Sequence, residues 1–553
     1  IFKKDDKALQ YILNQPDDKF PDFSRLVENY SYFYNNIQAN NVEVIHQGLQ
    51  KLLFIEIGLD KGRDDPQKIF QSLNSTGLDL SQADLIRNYV LMDLPQKQQL
   101  KIYENYWIQI ELNTTESTNK NSRLSDYIRD YLTFKFSKIP NQDKVFETFK
   151  EKFIIKDIEQ LETILKEIKL YSKHYSLLIN PDLAQDEKIK ENLKYIKKLQ
   201  INVSYPFLLQ VLDDYENNII DSKILIEVLE LIQSFVWRRF ICGVATNALN
   251  KIFMDLHKDI DQNNYIKSLQ YSLLKRKGSQ RFPNNEEIYK ELEFKDMYYI
   301  QPKNRSYFFD KLENNGERIK IVVESNPEVT IEHIFPQNPS KDWRENLGEE
   351  FAEMQKFLNT AANLTLSAFN KELSNKPFIY KRDLENKGYG HSPLRIDKYL
   401  KNVENWNLDA LNKRREWIFK RFLEIWKYPD IKVEDNPDTE METNILDIIP
   451  EDVTFKTIEY YKFFDVIFEN STYAKLLENV AAIMFEREPH MFIATDLADR
   501  IKLTQEPNKL SKSIKISQSY YIEGGLSAAE VIRRVQYILE KCETDDDLYI
   551  KLK

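Results

Sequence analysis

Cysteine, histidine and glycine are all scarce in this chain. Cys242 and Cys542 are its two cysteines. Their separation argues against a disulfide framework and a cysteine-ligated zinc site, and suits a reducing cytoplasm. Histidine occurs at positions 46, 174, 257, 333, 391 and 490. No two stand at metal-ligand spacing, which argues against a His-rich zinc centre. There is no run of about 18 uncharged apolar residues, so no transmembrane helix is expected, and there is no secretory signal pattern. Gly-x-x-x-x-Gly-Lys is missing, so there is no P-loop. Excess positive charge is missing too. The net charge is -10, which argues against a passive DNA coat, because phosphate binding depends on Lys and Arg. It leaves room for an enzyme that meets DNA through local basic patches and a metal. The opening Ile1-Phe2-Lys3-Lys4 reads as mid-protein, with an N-terminal part of the gene product expected to precede it.

What the sequence does have is apolar material, 42% of 553 residues. That is too much chain for one core, and several domains are expected. With 12 glycines, helical periodicity dominates residues 1–310. The stretch "SQADLIRNYVLMDL" (81–94) has apolar residues at helical spacing behind Ser81, a good N-cap. Residues 143–178 and 221–244 read as amphipathic helices. The character changes at "RIKIVVESNPEVTIEHIF" (318–335), rich in β-branched residues and broken by Asn326-Pro327. A second β-prone run, "AANLTLSA" (361–368), follows a helical stretch at 349–360. A helical, Lys-rich segment comes next at 369–388, then a helix at 409–426. Residues 429–444 are acidic and poor in apolar residues, as a linker is. Beyond them lie a helix at 471–486, a β-prone 510–525 and a helix at 527–542.

The chemistry gathers in the strand–strand–helix order. Glu332 and His333 stand together near the end of the first β-prone run. Asn363 starts the second, and Asn370 opens the helix after it. This resembles the HNH, or ββα-metal, nuclease layout, in which the His is general base and a neighbouring acid plus a helix Asn or His hold one divalent cation. Imidazole, with an ordinary pKa near ~6.5, suits proton abstraction at neutral pH. A metal would neutralise charge on the phosphate and the leaving oxygen, and Mg²⁺ accepts few oxygen ligands because it keeps several waters. Adjacent strand residues point to opposite faces. Glu332 and His333 therefore serve one site only if the strand ends there, as Pro336 suggests. A lone Glu-His in a strand is ordinarily structural; the joint order with both asparagines is less easily accidental.

"TIEHIFPQNPSKDW" followed by "NLTLSAFNKELSNKPFIYKR" is similar to the nuclease domain of the GmrSD-type modification-dependent restriction enzymes. The matching positions are Glu332, His333, Pro336, Gln337, Asn363, Asn370, Ser374, Asn375, Phe378 and Lys381. Ala362 replaces the usual Gly before Asn-Leu. The resemblance implies His333 as base, Glu332 and Asn370 as metal ligands, Asn363 as a loop-bracing or metal-proximal residue, and Lys381 either on phosphate or solvating its helix face. The Asn363 and Asn370 roles could be exchanged. "KIFQSLNSTGLDLSQADLIRNYVL" (68–91) resembles the end of the family's ParB-like NTPase domain, with Phe70, Asn74, Gly77, Leu80, Asp84 and Asn88 in pattern. Read without the family it is a turn and a capped helix. "SFVWRRFICGVATNALNKIF" (234–253) resembles the helical middle, with Arg238 and Arg239 either near DNA or in an interior ion pair. The family's Asp-Gly-Gln-Gln-Arg nucleotide motif is missing, so an NTP is expected only with a preceding N-terminal region.

The expectation is a mainly α multidomain chain with an embedded ββα-metal (HNH, His-Me finger) nuclease core and a C-terminal α+β domain. The expected divisions are 1–110, the remainder of the NTPase-type domain; 111–310, the helical middle; 311–428, the nuclease domain; 429–446, an acidic linker; and 447–553, a domain of unknown role. There Tyr520-Tyr521 offers either a base-stacking surface or a plain hairpin. The expected activity is Mg²⁺- or Mn²⁺-dependent cleavage of DNA, modified phage DNA included, in a bacterial defence system. A homo-oligomer or a defence-system partner is in keeping with it. The alternatives are a non-catalytic DNA-binding or regulatory subunit that keeps the HNH-like fold, and a helical interaction scaffold with a toxin-like role.

Overall fold

The computed structural model describes residues 3–14, 24–53, 80–92, 94–246, 248–317, 320–321, 329–432, 443–464, 466–469, 471–494, 496–542 and 548–553. It is mainly helical with small sheets. Among the described residues, no helix is long and apolar enough to cross a membrane. Two compact units form, one of residues 1–113, 122–128 and 141–170, the other of 114–121, 129–140 and 171–553.

In the first unit, α1 (Gln82–Leu91) starts where its sequence says. Ser81 Oγ accepts the Asp84 N–H at 3.2 Å, satisfying one of the amides a helix start leaves bare. Ala83, Ile86 and Val90 turn inward at helical spacing. Asp84 also pairs with Arg87 at 2.8 Å. Phe70, Asn74 and Gly77 lie outside the described residues.

In the second unit, α2 (Glu187–Leu199) and α3 (Ser222–Ile241) are capped by the side chains of Asp186 and Asp221. Apolar residues cover most of α3, and the helix is correspondingly buried. Arg238 and Arg239 are interior. Arg238 donates to Trp426 O, Pro283 O and the Asn285 side chain at 2.8, 3.1 and 2.8 Å. Arg239 donates to Arg281 O at 3.1 Å and Ala245 O at 2.5 Å. Helix α4 (Pro302–Asn314) has Pro in its first turn, where a missing N–H costs nothing.

Strand β1 (Thr330–His333) pairs antiparallel with β2 (Leu364–Ser367), Glu332 opposite Thr365 and His333 opposite Leu364. Two short helices follow, α5 (Asn370–Leu373) and α6 (Phe378–Asp383), then α7 (Leu408–Ile425). Ile334, Phe335, Trp343, Met354, Leu373, Phe378, Trp406 and Leu411 pack as one core against this group.

The C-terminal part has a four-stranded antiparallel sheet in the order β3-β8-β4-β5. Its strands are β3 (Thr443–Asn444), β4 (Ile458–Phe463), β5 (Val466–Glu469) and β8 (Leu548–Leu552). A separate hairpin, β6 (Ser513–Lys515) with β7 (Tyr521–Glu523), accounts for the β-prone "SIKISQSYYIE". Helices α8 (Tyr473–Arg487) and α9 (Ala528–Lys541) complete the core of this part. The stretch read as a linker ends earlier than its composition suggests, because Thr443 and Asn444 are already in the sheet.

Candidate active site

β1 ends at His333, and the chain bends away over Ile334-Phe335. Alternation sends the last two side chains to opposite sides of the hairpin. Glu332 and Thr330 share one side; His333 and Ile331 share the other.

Glu332 is buried, and its Oε1 lies 2.6 Å from Lys381 Nζ. Lys381 also donates to His333 O at 2.8 Å and Ile334 O at 3.3 Å. All three ammonium protons are thus used inside, and the side chain neither solvates its helix face nor reaches the surface. Tyr389 OH approaches the same carboxylate oxygen at 3.4 Å. Burial pushes the Glu332 carboxyl up, against the pull of Lys381, and pulls the Lys381 ammonium down, against the pull of Glu332. Both shifts express the cost of holding charge away from water. Gly388 makes the Tyr389 contact sterically possible. A Cβ there would lie 2.4 Å from Arg382 O and 2.7 Å from Lys381 O.

His333 is buried as well. Its Nε2 is 3.1 Å from Asn359 Oδ1, and the Tyr298 ring lies against the imidazole at 4.5 Å between centroids, tilted by 56°. Burial holds the imidazole below its ordinary value, with the Asn359 bond opposing. Burial thus favours the neutral form of the ring.

The two asparagines have different surroundings. Asn363 is fully buried and braces the loop between the strands. Its Oδ1 accepts the Phe335 N–H at 2.8 Å and the Trp406 Nε1–H at 3.1 Å, and its Nδ2 donates to Phe335 O and Leu358 O at 2.9 and 2.8 Å. No hydrogen-bonding capacity is left over. Ala362, where the family pattern has Gly, sits in a 3-10 turn that accepts a Cβ. Asn370 opens α5 and donates to Thr330 Oγ1 at 2.7 Å and Ile331 O at 2.9 Å. Among the described residues its Oδ1 is buried with no partner, which calls for an explanation such as an ion. Asn370 also lines a cleft of about 590 Å³ with Thr330, Tyr298, Lys303, Arg305 and Ser306.

The structure thus brings Glu332 and Lys381 into direct contact, and ties Asn363 and Asn370 to the two ends of the hairpin. Sequence reasoning missed Asn359, Tyr298 and Tyr389, which touch the two key side chains, and Asp296, which holds Asn359 at 2.9 Å. Among the described residues, no three His, Cys, Asp or Glu side chains cluster as a metal site.

A model of the C-terminal domain of GmrSD restriction endonucleases matches residues 282–421, and a model of the N-terminal domain of the same enzymes matches residues 1–91. No curated protein matches the chain. The C-terminal match spans the hairpin, both asparagines, Lys381 and the residues around His333, so that the site just described lies wholly inside it. With both end domains matched in their proper order, the chain belongs to the GmrSD restriction endonuclease family.

Proposed function

We propose that this protein is a divalent-metal-dependent DNA endonuclease of the HNH type, acting in phage restriction, with His333 as general base. The observation that carries it is the buried imidazole at the end of β1, neutral and fixed on one edge and one face. Family membership supplies the reaction class, and the hairpin followed by α5 supports the ββα reading.

In hydrolysis, the water oxygen forms a bond to phosphorus while His333 takes the water's proton. The bond from phosphorus to the leaving oxygen breaks, and that oxygen is then protonated from solvent. Asn363 keeps the strand-end loop rigid, so that the base stays in place. Lys381 fixes Glu332 and the backbone at His333.

Of the two expected ligands, Asn370 is the one with an oxygen to spare for a hard cation. Among the described residues Asn370 Oδ1 is an acceptor without a partner, whereas Glu332 is buried against Lys381 on the side of β1 opposite His333. Asn370 would supply an oxygen to the ion, which when bound would neutralise charge building on the phosphate; Glu332 would join it only on release from Lys381. The family and the cleft's Lys303 and Arg305 point to DNA as substrate.

The test is cleavage of modified and unmodified DNA with Mg²⁺ or Mn²⁺, with and without NTP. His333→Ala is expected to cut at least about 100-fold more slowly, the ordinary contribution of a general base, and a chelator to stop cleavage by the wild type. Activity requires the neutral imidazole and is lost as pH falls through its pKa. Its acid limb is therefore expected below the ordinary imidazole value of 6.5. Equal cleavage by wild type and His333→Ala would remove the base and favour a non-catalytic DNA-binding role.

A further inference from the structure

Asp296 and Asn359 lie outside every motif in the sequence, yet they determine how His333 can act. Asn359 Nδ2 donates to Asp296 Oδ2 at 2.9 Å. A carboxylate only accepts, so the amide's NH₂ must face Asp296 and its carbonyl oxygen must face His333. That oxygen, 3.1 Å from Nε2, also only accepts. Nε2 must therefore carry a proton, and in the neutral ring the lone pair falls on Nδ1.

Asp296 itself cannot rotate freely. Its Oδ1 accepts the backbone N–H groups of Tyr298 and Tyr299 at 2.9 and 2.7 Å. One carboxylate thus places both the Tyr298 ring on the imidazole's face and Asn359 at its edge. The backbone reinforces this, because the Met297 N–H donates to Asn359 O at 2.8 Å. The Arg305 guanidinium, 5.4 Å from the Tyr298 ring centroid, donates to Tyr298 O and backs the ring.

We infer that Asp296 and Asn359 are a positioning pair that holds His333 in the Nε2–H tautomer, so that Nδ1 is the atom that takes the proton from the attacking water. The inference rests on the reading of His333 as base and names the reacting atom and what aims it. In the step, the water's O–H bond breaks, its proton joins Nδ1, and its oxygen bonds to phosphorus as the leaving oxygen departs. His333 is then a cation with both nitrogens protonated. Its Nε2–H still points at Asn359 Oδ1, whose amide is held by the Asp296 side chain, so the chain of bonds also suits the charged state.

The experiment combines nitrogen-15 spectra of the histidine rings with cleavage kinetics on the intact chain. The variants are Asn359→Leu, which keeps the volume and removes the acceptor, and Asp296→Asn combined with Asn359→Asp, which swaps carboxylate and amide and preserves the chain. With six histidines, the His333 signals are assigned by their loss in His333→Ala. The wild type is expected to show His333 with its proton on Nε2. Asn359→Leu is expected to lose that single tautomer and about 100-fold in kcat, with KM little changed and the other histidine signals in place. The swapped double variant is expected to recover both the tautomer and most of kcat. A wild-type proton on Nδ1, or a kcat unmoved by Asn359→Leu, would overturn the positioning pair while leaving His333 as base. Full cleavage by His333→Ala would overturn Nδ1 as the reacting atom along with the base itself, and the spectra separate that failure from the first.

Discussion

At the scale of single residues, the buried ion pair of Lys381 with Glu332 carries a large energetic consequence. Both side chains are out of water, and each is shifted towards its neutral form by burial. Such a pair adds little net stability compared with apolar residues, but removing one partner leaves a stranded charge. Lys381→Met is therefore expected to destabilise the hairpin by about 3–5 kcal/mol. Glu332→Gln combined with Lys381→Met, which leaves no charge behind, is expected to cost clearly less than Lys381→Met alone. Hydrogen exchange of the β1 and β2 amides is the suitable measurement, since it reads local opening in a chain of several cores. A double variant as unstable as the single one would show that the carboxylate, and not its stranding, matters. The sequence held a signal for this burial. Lys381 follows Phe378 by three residues and precedes Leu384 by three, which puts it on the apolar face of α6, where a solvating lysine would not stand.

Among the elements, the hairpin was legible and the loop that secures it was not. The consecutive β-branched Val329-Thr330-Ile331 and the alternating "NLTLS" mark two β-prone runs, and each became a four-residue strand. The asparagines were legible as a set because they fall at the start of β2 and of α5. Asn359 was not legible, because it closes an ordinary helical stretch and meets His333 only through the hairpin's return. Asp296 lies in a region whose periodicity is purely helical, and its contact with Asn359 spans 63 residues. The close seat of Gly388 on the end of α6 is equally invisible in sequence. There the backbone passes so near Lys381 O and Arg382 O that an added Cβ would be 2.7 and 2.4 Å away. Backbone oxygens cannot swing aside as a flexible side chain can. Gly388→Ala is expected to lift the segment, withdraw Tyr389 from Glu332, and cost about 1–3 kcal/mol, the usual range for overpacking. Reduced hydrogen-exchange protection at Tyr389 and Gly390, whose N–H groups bond Lys381 O and Arg382 O at 3.0 and 2.9 Å, would register the change.

For the whole molecule, the question is how far the C-terminal part supports the site. Two of its hydrophobic cores bear on this. The site's core is built from residues between Ile334 and Leu411, and the C-terminal core from residues between Ile445 and Ile550. Cores that share no side chains can unfold separately. The C-terminal sheet is also built so that its two ends depend on one strand: β8 lies between β3 and β4, and its Leu548 and Ile550 are buried. Removing residues 548–553 would leave β3 without a partner and β4 with a bare edge, and would strip two apolar side chains from the core. Deletion of 548–553 is therefore expected to abolish the C-terminal part's own cooperative transition in calorimetry. Cleavage that depends on His333 is expected to stay within about twofold, because the strands, helices and hydrogen bonds around His333 come from residues 296–414 and misplacement is what costs rate. If cleavage is lost together with that transition, the C-terminal part takes a direct share in the reaction or in holding DNA, and its Tyr520-Tyr521 hairpin becomes the first place to look.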